Sequence, residues 1–144
     1  MRRFLLLILF TYSLFAGNAK EEAALLGAEN DFAAAMQKVK KEKKMLVMVI
    51  VKKNCHWCQK LIETTLSDRE VKERLQNDVL LIVDKNDAYP DRFKVTLFPS
   101  IFYIDGSSQK SVYENVGYID KTSFLSDLKD AYEKRDAFYK KEQK

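Results

Sequence analysis

The segment MLVMVIVKKNCHWC, residues 45–58, carries the strongest structural signal in the chain. Its first seven residues are apolar without alternation, which is typical of a strand buried on both faces of a sheet. It ends in a Cys-x-x-Cys motif formed by Cys55 and Cys58, the two cysteines of the chain, and a helical pattern follows. A motif between a strand and a helix predicts redox chemistry, because the unpaired N–H groups of a helix N-terminus favour thiolate over thiol. We therefore expect Cys55 to be the exposed nucleophile and Cys58 the resolving thiol.

Other uses of a cysteine pair fit the sequence less well. A structural zinc site needs four ligands, and the single histidine, His56, lies inside the pair. Attachment of a c-type haem needs histidine directly after the second cysteine, where Gln59 stands. A structural disulfide gains stability from closing a long loop, and this one encloses only two residues. Two unrelated thiols remain the simplest alternative to redox chemistry.

Length and composition predict one globular domain. The chain has 144 residues, of which 47% are hydrophobic and 32% charged, enough for a core and a solvated surface. The net charge of +4 is small and gives no electrostatic reason to expect binding to nucleic acid or to a membrane surface.

The first nineteen residues have the layout of a secretory signal peptide. Arg2 and Arg3 precede an apolar stretch, and small residues precede a predicted cleavage after Ala19. The apolar core is short of the ~20 residues that a spanning helix needs, so an uncleaved anchor is the weaker alternative. The sequence thus predicts a signal peptide at 1–19 and an exported, periplasmic protein, in a compartment where disulfides persist.

The rest of the chain alternates helical and strand patterns. We expect a flexible lead-in at 20–29 and a polar tail at 136–144. A helix capped by Asn30 or Asp31 precedes the strand at 45–51, and a capping box that begins at Ser67 starts a helix after the motif. The remaining predicted elements are a helix at 56–66, the capped helix at 67–77, strands at 79–83, 101–104 and 110–116, a short helix at 91–95, and a last helix at 121–134.

The sequence resembles thioredoxin over residues 30–135. The resemblance rests on the strand that enters Cys55-x-x-Cys58, the strand at 80–84 with a polar loop, the segment FKVTLFPS at 93–100, and Gly117 after the hairpin. It implies an α/β thioredoxin-like fold, a central mixed β-sheet flanked by helices on both faces. Within the superfamily the chain is most similar to exported thioredoxin-like proteins and DsbD-like domains.

The resemblance also implies further site residues. Phe98 and Pro99 match the segment that leads to the family's cis-proline, where backbone next to the disulfide pairs with substrate. The alternative is a trans Pro99 at the start of an edge strand. Trp57 either shields Cys58 and offers a docking surface, or packs against the rim of the sheet.

Two positions depart from thioredoxin. Val49 occupies the place of the family's buried acid, so that Lys85 or water would have to accept the proton of Cys58. Asn54 replaces the tryptophan before the first cysteine. His56 is the expected tuning residue, since an imidazole can donate to a thiolate at Cys55 or add charge near it, although an exposed ring that does little is the alternative.

The leading functional hypothesis is an exported thiol–disulfide oxidoreductase with no cofactor and no metal. A reductase of envelope protein disulfides is favoured, because no helical domain is inserted between Asp84 and Pro99. Its expected partners are protein dithiols or disulfides and a membrane electron donor of the DsbD type. Its clients can include cytochromes c during maturation. We expect the protein to be a monomer. The alternative is a thioredoxin-fold binding module that holds Cu(I) or a partner without redox turnover.

Overall fold

The computed structural model describes residues 18–142. The helices are α1 (Ala19–Leu26), α2 (Phe32–Glu42), α3 (His56–Lys60), α4 (Arg69–Leu75) and α5 (Lys121–Glu142). The strands are β1 (Met45–Val51), β2 (Val79–Asp84), β3 (Ser100–Asp105) and β4 (Ser111–Val116). A π-helical segment, Leu61–Leu66, continues α3, and a 3-10 turn, Asp91–Phe93, lies between β2 and β3.

The four strands form one mixed sheet in the order β2-β1-β3-β4. Strands β1 and β2 are parallel, whereas β1 with β3 and β3 with β4 are antiparallel. All seven residues of β1 are buried, which confirms a central strand covered on both faces. The predicted thioredoxin-like α/β fold is confirmed.

Alternate side chains of β1 enter two separate cores. Val47, Val49 and Val51 pack with Cys58 and with side chains of α4 and α5. Leu46, Met48 and Ile50 face the other way, against α2 and the 3-10 turn. This period of two is the ordinary consequence of strand geometry, and it places helices on both faces of the sheet.

The predicted lead-in at 20–29 is the helix α1 in the structure. Asn18 caps it by accepting a hydrogen bond from Glu21 N at 2.9 Å, and Ala19 and Ala23 are buried in the first core. Glu29 then forms an isolated parallel bridge with Leu81 of β2. Burial against β2 orders a segment whose sequence alone shows little amphipathic pattern.

Helix boundaries also differ from those predicted. The residue that caps α4 is Asp68, whose carboxylate accepts from Glu70 N and Val71 N, while Ser67 donates its hydroxyl to Ile62 O. The residues of the predicted helix at 56–66 change to π-helical geometry at Leu61. The predicted polar tail is helical as far as Glu142, and within it Tyr139 donates its hydroxyl to buried Asp105 at 2.5 Å.

The predicted signal peptide falls almost wholly on residues 1–17, which lie outside the described residues. Its cleavage after Ala19 therefore stays a prediction, as does export. Between residues 18 and 142 no helix is both long and apolar enough to span a bilayer.

Candidate redox site

Cys55 and Cys58 form a disulfide with their Cα atoms 5.2 Å apart. Strand β1 ends at Val51, and Asn54, with a φ of 54°, turns the chain into the motif. Cys55 is the N-cap of α3, and its Sγ accepts a hydrogen bond from the backbone N–H of Cys58 at 3.2 Å. After reduction, the same N–H group is placed to stabilise a thiolate at Cys55.

The two sulfur-bearing residues differ in exposure. Cys58 is only 3% exposed and belongs to the first core, together with Val49 and Leu61. Cys55 is half-buried at the edge of the same core. The cysteine that precedes the helix is thus the one that a substrate can reach, as the order of the motif predicts.

His56 and Trp57 form an aromatic pair beside the disulfide. Trp57 is 51% exposed, and the His56 ring meets it edge-on with centroids 5.2 Å apart. Among the described residues no hydrogen bond joins His56 to either sulfur. Trp57 also packs on Tyr118 with ring centroids 5.8 Å apart, so it both contacts a neighbouring loop and leaves a face open.

The Phe98–Pro99 peptide bond is cis. Phe98 is half-buried between the two cores, and Pro99 O accepts a hydrogen bond from Gly117 N at 2.7 Å. Ser100, the first residue of β3, donates its hydroxyl to Leu97 O at 2.7 Å. Because β3 lies between β1 and β4, Pro99 precedes an internal strand rather than an edge strand.

An exposed apolar surface borders the disulfide, and we call its four residues the apolar rim: Trp57, Leu97, Val116 and Tyr118. Leu97 is 64% and Val116 is 58% exposed. The bond from Gly117 to Pro99 joins the loop of Leu97 to the end of β4, between Val116 and Tyr118, and Tyr118 contacts Trp57. Sequence reasoning missed three of these residues; their positions next to Phe98-Pro99 and Gly117 were the available signal.

An apolar side chain, Val49, fills the place where the family has a buried acid. Val49 is fully buried within the core that holds Cys58. Lys85 is exposed, and its Nζ donates to Asn86 Oδ1 at 3.1 Å. Which group accepts the proton of Cys58 stays a prediction.

The described residues contain no group of three or more histidine, cysteine, aspartate or glutamate side chains arranged to hold a metal ion. A thiolate-bound Cu(I) would have to rely on Cys55 and Cys58 alone. The Cα atoms of the pair stand 5.2 Å apart, within the range of disulfides, which agrees with redox use of the two sulfurs.

Comparison with known families gives the site its context. The family model described as "Thioredoxin-like domain" matches residues 32–132, most of the chain. The chain belongs to this family. In a thioredoxin-like chain, a Cys-x-x-Cys pair at disulfide distance is the reactive part of a thiol–disulfide oxidoreductase, and the protein is an enzyme of that class. A search of curated proteins found no match.

Solved structures with the same fold are distant in sequence. A thioredoxin from Thermus thermophilus has a TM-score of 0.62 at 19% sequence identity. The match covers 71% of this thioredoxin-like chain and 84% of the Thermus chain. A DsbH oxidoreductase has a TM-score of 0.56 at 19% identity, over 87% and 92% of the two chains. The oxidised C-terminal domain of Neisseria meningitidis DsbD has a TM-score of 0.55 at 16% identity, over 69% and 94%. At these identities the likeness shows a shared fold.

Proposed function

We propose that the protein is a reductase of protein disulfides in the bacterial envelope. The observation that carries the proposal is the disulfide of half-buried Cys55, at the edge of the core, with buried Cys58. A further observation favours reduction over oxidation of unfolded chains. Between β2 and β3 the chain contains one 3-10 turn and no inserted helical domain that would supply a large surface for unfolded substrates.

The reaction follows from the unequal positions of the two cysteines. In the reduced protein the Cys55 thiolate attacks one sulfur of a substrate disulfide; the substrate S–S bond breaks, and its departing sulfur takes up a proton. The Cys58 thiol then gives up its proton and attacks the Cys55 sulfur, which closes the Cys55–Cys58 disulfide and releases the second substrate thiol. Two electrons have then passed from the protein to the substrate. One of the two protons that the substrate gains comes from Cys58, and the other comes from solvent, which took up the Cys55 proton when the thiolate formed.

Substrate docking would use the apolar rim and the backbone at Phe98 and Pro99. An extended peptide can pair with exposed backbone at such a position and place its cysteine against Cys55. Trp57, half exposed and supported by Tyr118, offers an apolar surface to the residues next to that cysteine. His56, next to Cys55, can add positive charge near the thiolate.

The cellular setting of the proposal rests on the predicted signal peptide. An exported reductase works where thiols tend to oxidise, so it needs a source of electrons, and a membrane donor of the DsbD type would serve. Apocytochromes c are one class of client that carries a pair of thiols in this compartment, and the choice among clients remains a prediction.

The experiment combines enzyme activity with a redox titration. We expect the purified protein to reduce insulin disulfides with dithiothreitol as electron source, Cys55→Ser to abolish turnover, and Cys58→Ser to accumulate mixed disulfides that wild type resolves. Titration against glutathione and dithiothreitol, followed by Trp57 fluorescence, gives the reduction potential. A value of about −250 mV or below supports a reductase.

Two results would contradict the proposal. Unchanged turnover in Cys55→Ser would show that this sulfur is not the nucleophile. A potential of roughly −120 to −150 mV would place the protein with the oxidants, and its direction in the cell would then be the reverse of the one proposed.

A further inference from the structure

The strongest unassigned feature of the molecule is a pair of lysines, one against Phe98 next to Pro99 and one against Trp57 between the two cysteines. Resting on the proposed reductase function, we propose that Lys52 and Lys60 select substrate proteins whose reactive disulfide is flanked by acidic residues. The two lysines lie at different ends of the docking area, one next to the Phe98 loop and one next to Trp57.

Lys60 is held in a fixed position between two rings of the apolar rim. Its Nζ lies 5.2 Å from the ring centroid of Trp57 and 4.6 Å from that of Tyr118. Thr64 donates its hydroxyl to Lys60 O at 2.7 Å, which leaves Thr64 Oγ1 free to accept from the Tyr118 hydroxyl at 3.3 Å. These contacts favour one position of the ammonium group before a substrate arrives, so that less side-chain entropy is lost on binding.

Lys52 provides the second charge at the other side of the site. Its Nζ lies 5.5 Å from the ring centroid of Phe98, the residue that precedes Pro99. A peptide that extends across the disulfide from the Phe98 loop to Trp57 would therefore pass a cation at each end.

Neither lysine is neutralised by the part of the chain that the structure describes. Its salt bridges include neither Lys52 nor Lys60. Glu63, one helical turn after Lys60, accepts a hydrogen bond from Gln59 Nε2 at 2.7 Å instead. Contact with aromatic faces leaves the full positive charge of Lys60 available to a partner.

Charges at the edge of an interface act mainly on encounter and on partner choice. Cations around a reactive sulfur attract acidic surfaces and repel basic ones, and the effect weakens as salt screens the charges. The expected partner is therefore a protein with aspartate or glutamate next to its reactive cysteine.

The test uses two oxidised peptides that differ only in the residues beside their disulfide, glutamate in one and lysine in the other. The purified, reduced protein is mixed with each under single-turnover conditions, and Trp57 fluorescence reports its oxidation. At low salt we expect the acidic peptide to react about tenfold faster than the basic one, with the ratio approaching one at high salt.

Variants assign the effect to the two lysines. We expect Lys52→Gln and Lys60→Gln each to lower the acidic-to-basic rate ratio by roughly two- to fivefold, and Lys60→Arg to retain it. Lys40→Gln, an exposed lysine on α2 that covers the opposite face of the sheet, is the matched control and should leave the ratio unchanged. Because the readout is a ratio, a packing defect that slows both reactions does not imitate loss of charge.

The outcomes separate this inference from the function on which it rests. If both peptides are reduced at equal rates at low salt, or if the Lys52 and Lys60 variants keep the wild-type ratio, the selection of acidic partners is wrong while the reductase stands. If neither peptide is reduced, both proposals fail.

Discussion

Cys55 and Cys58 take unequal parts because one precedes a helix and the other lies within it. As N-cap of α3, Cys55 is half-buried at the edge of the core and receives an N–H group, whereas Cys58 is buried in the core. The motif's order along the chain already predicts this difference, since side chains at the start of a helix and one turn later share a face but differ in depth.

Gly117 is a single residue on which the arrangement around Pro99 depends. Its φ of 93° is unfavourable for any residue with a Cβ, and its N–H donates to Pro99 O. We expect Gly117→Ala to lower the free energy of unfolding by about 1–2 kcal/mol and to reduce kcat/KM for insulin reduction, because the Pro99 carbonyl loses its fixed donor. Urea unfolding and the insulin assay measure the two effects.

Gly27→Ala is the matched control for this variant. Gly27 also has a positive φ, 65°, but it ends α1 and lies outside the apolar rim. A similar loss of stability with unchanged kcat/KM is expected. Equal activity in both variants would show that Gly117 matters only for folding.

At the scale of elements, α1 shows how tertiary contacts create order. Ala23 is 1% exposed, and the chain after the helix is joined to β2 by hydrogen bonds from Glu29 N to Leu80 O at 2.8 Å and from Ile82 N to Glu29 O at 2.9 Å. A helix of eight residues would not be stable alone in water, so packing against the sheet must supply its stability.

Adjacent alanines of α1 allow a direct test of this docking. We expect Ala23→Leu to lower the free energy of unfolding by about 1–3 kcal/mol, because the larger side chain does not fit in the core. Ala24 is exposed, and Ala24→Leu should change the free energy by less than about 0.5 kcal/mol. Urea denaturation of both variants measures these changes. Equally small changes in the free energy of unfolding would mean that residues 20–29 are the flexible lead-in that the sequence suggested.

At the scale of the whole molecule, buried Asp78 connects elements that are distant in sequence. It lies between α4 and β2, accepts the hydroxyl of Tyr132 from α5, and is 3.6 Å from Arg74 Nη1. Burial raises the pKa of Asp78, and the hydrogen bond from Tyr132 and the charge of Arg74 oppose this only in part. The folded protein therefore binds a proton at Asp78 more tightly than the unfolded chain does.

The sign of the resulting pH dependence follows from that raised pKa. As pH rises from the ordinary range of an aspartate through the raised pKa, the folded state must carry a buried charge, and the contribution of Asp78 to stability falls. Asp78→Asn should therefore raise the free energy of unfolding, relative to wild type, more at pH 8 than at pH 4. Urea unfolding at both pH values measures the difference.

Glu133→Gln provides the control for this comparison, since Glu133 is an exposed residue of α5 that pairs with Lys129. The free energy of unfolding of Glu133→Gln should differ little from that of wild type at either pH. If Asp78→Asn raised the free energy of unfolding more at pH 4 than at pH 8, the raised pKa assigned to Asp78 would be wrong.

Local patterns determined the larger part of this protein. The apolar run at 45–51, the cysteine motif, the cap at Asp31 and the start of the last helix at Lys121 are found as expected, because strand burial, caps and helical periodicity are properties of short segments. The parallel pairing of β1 with β2 and the hairpin of β3 and β4 then follow from connection lengths.

The surroundings of the disulfide arise from contacts between segments that are distant in the chain. The apolar rim joins Trp57 to residues 40 to 61 positions further along the chain, and Lys60 gains its fixed position from Tyr118. Helix α1 and the end of α5 likewise depend on contacts with β2 and with Asp105. Such features depend on which distant segments become neighbours, and the residues of one segment alone do not contain that information.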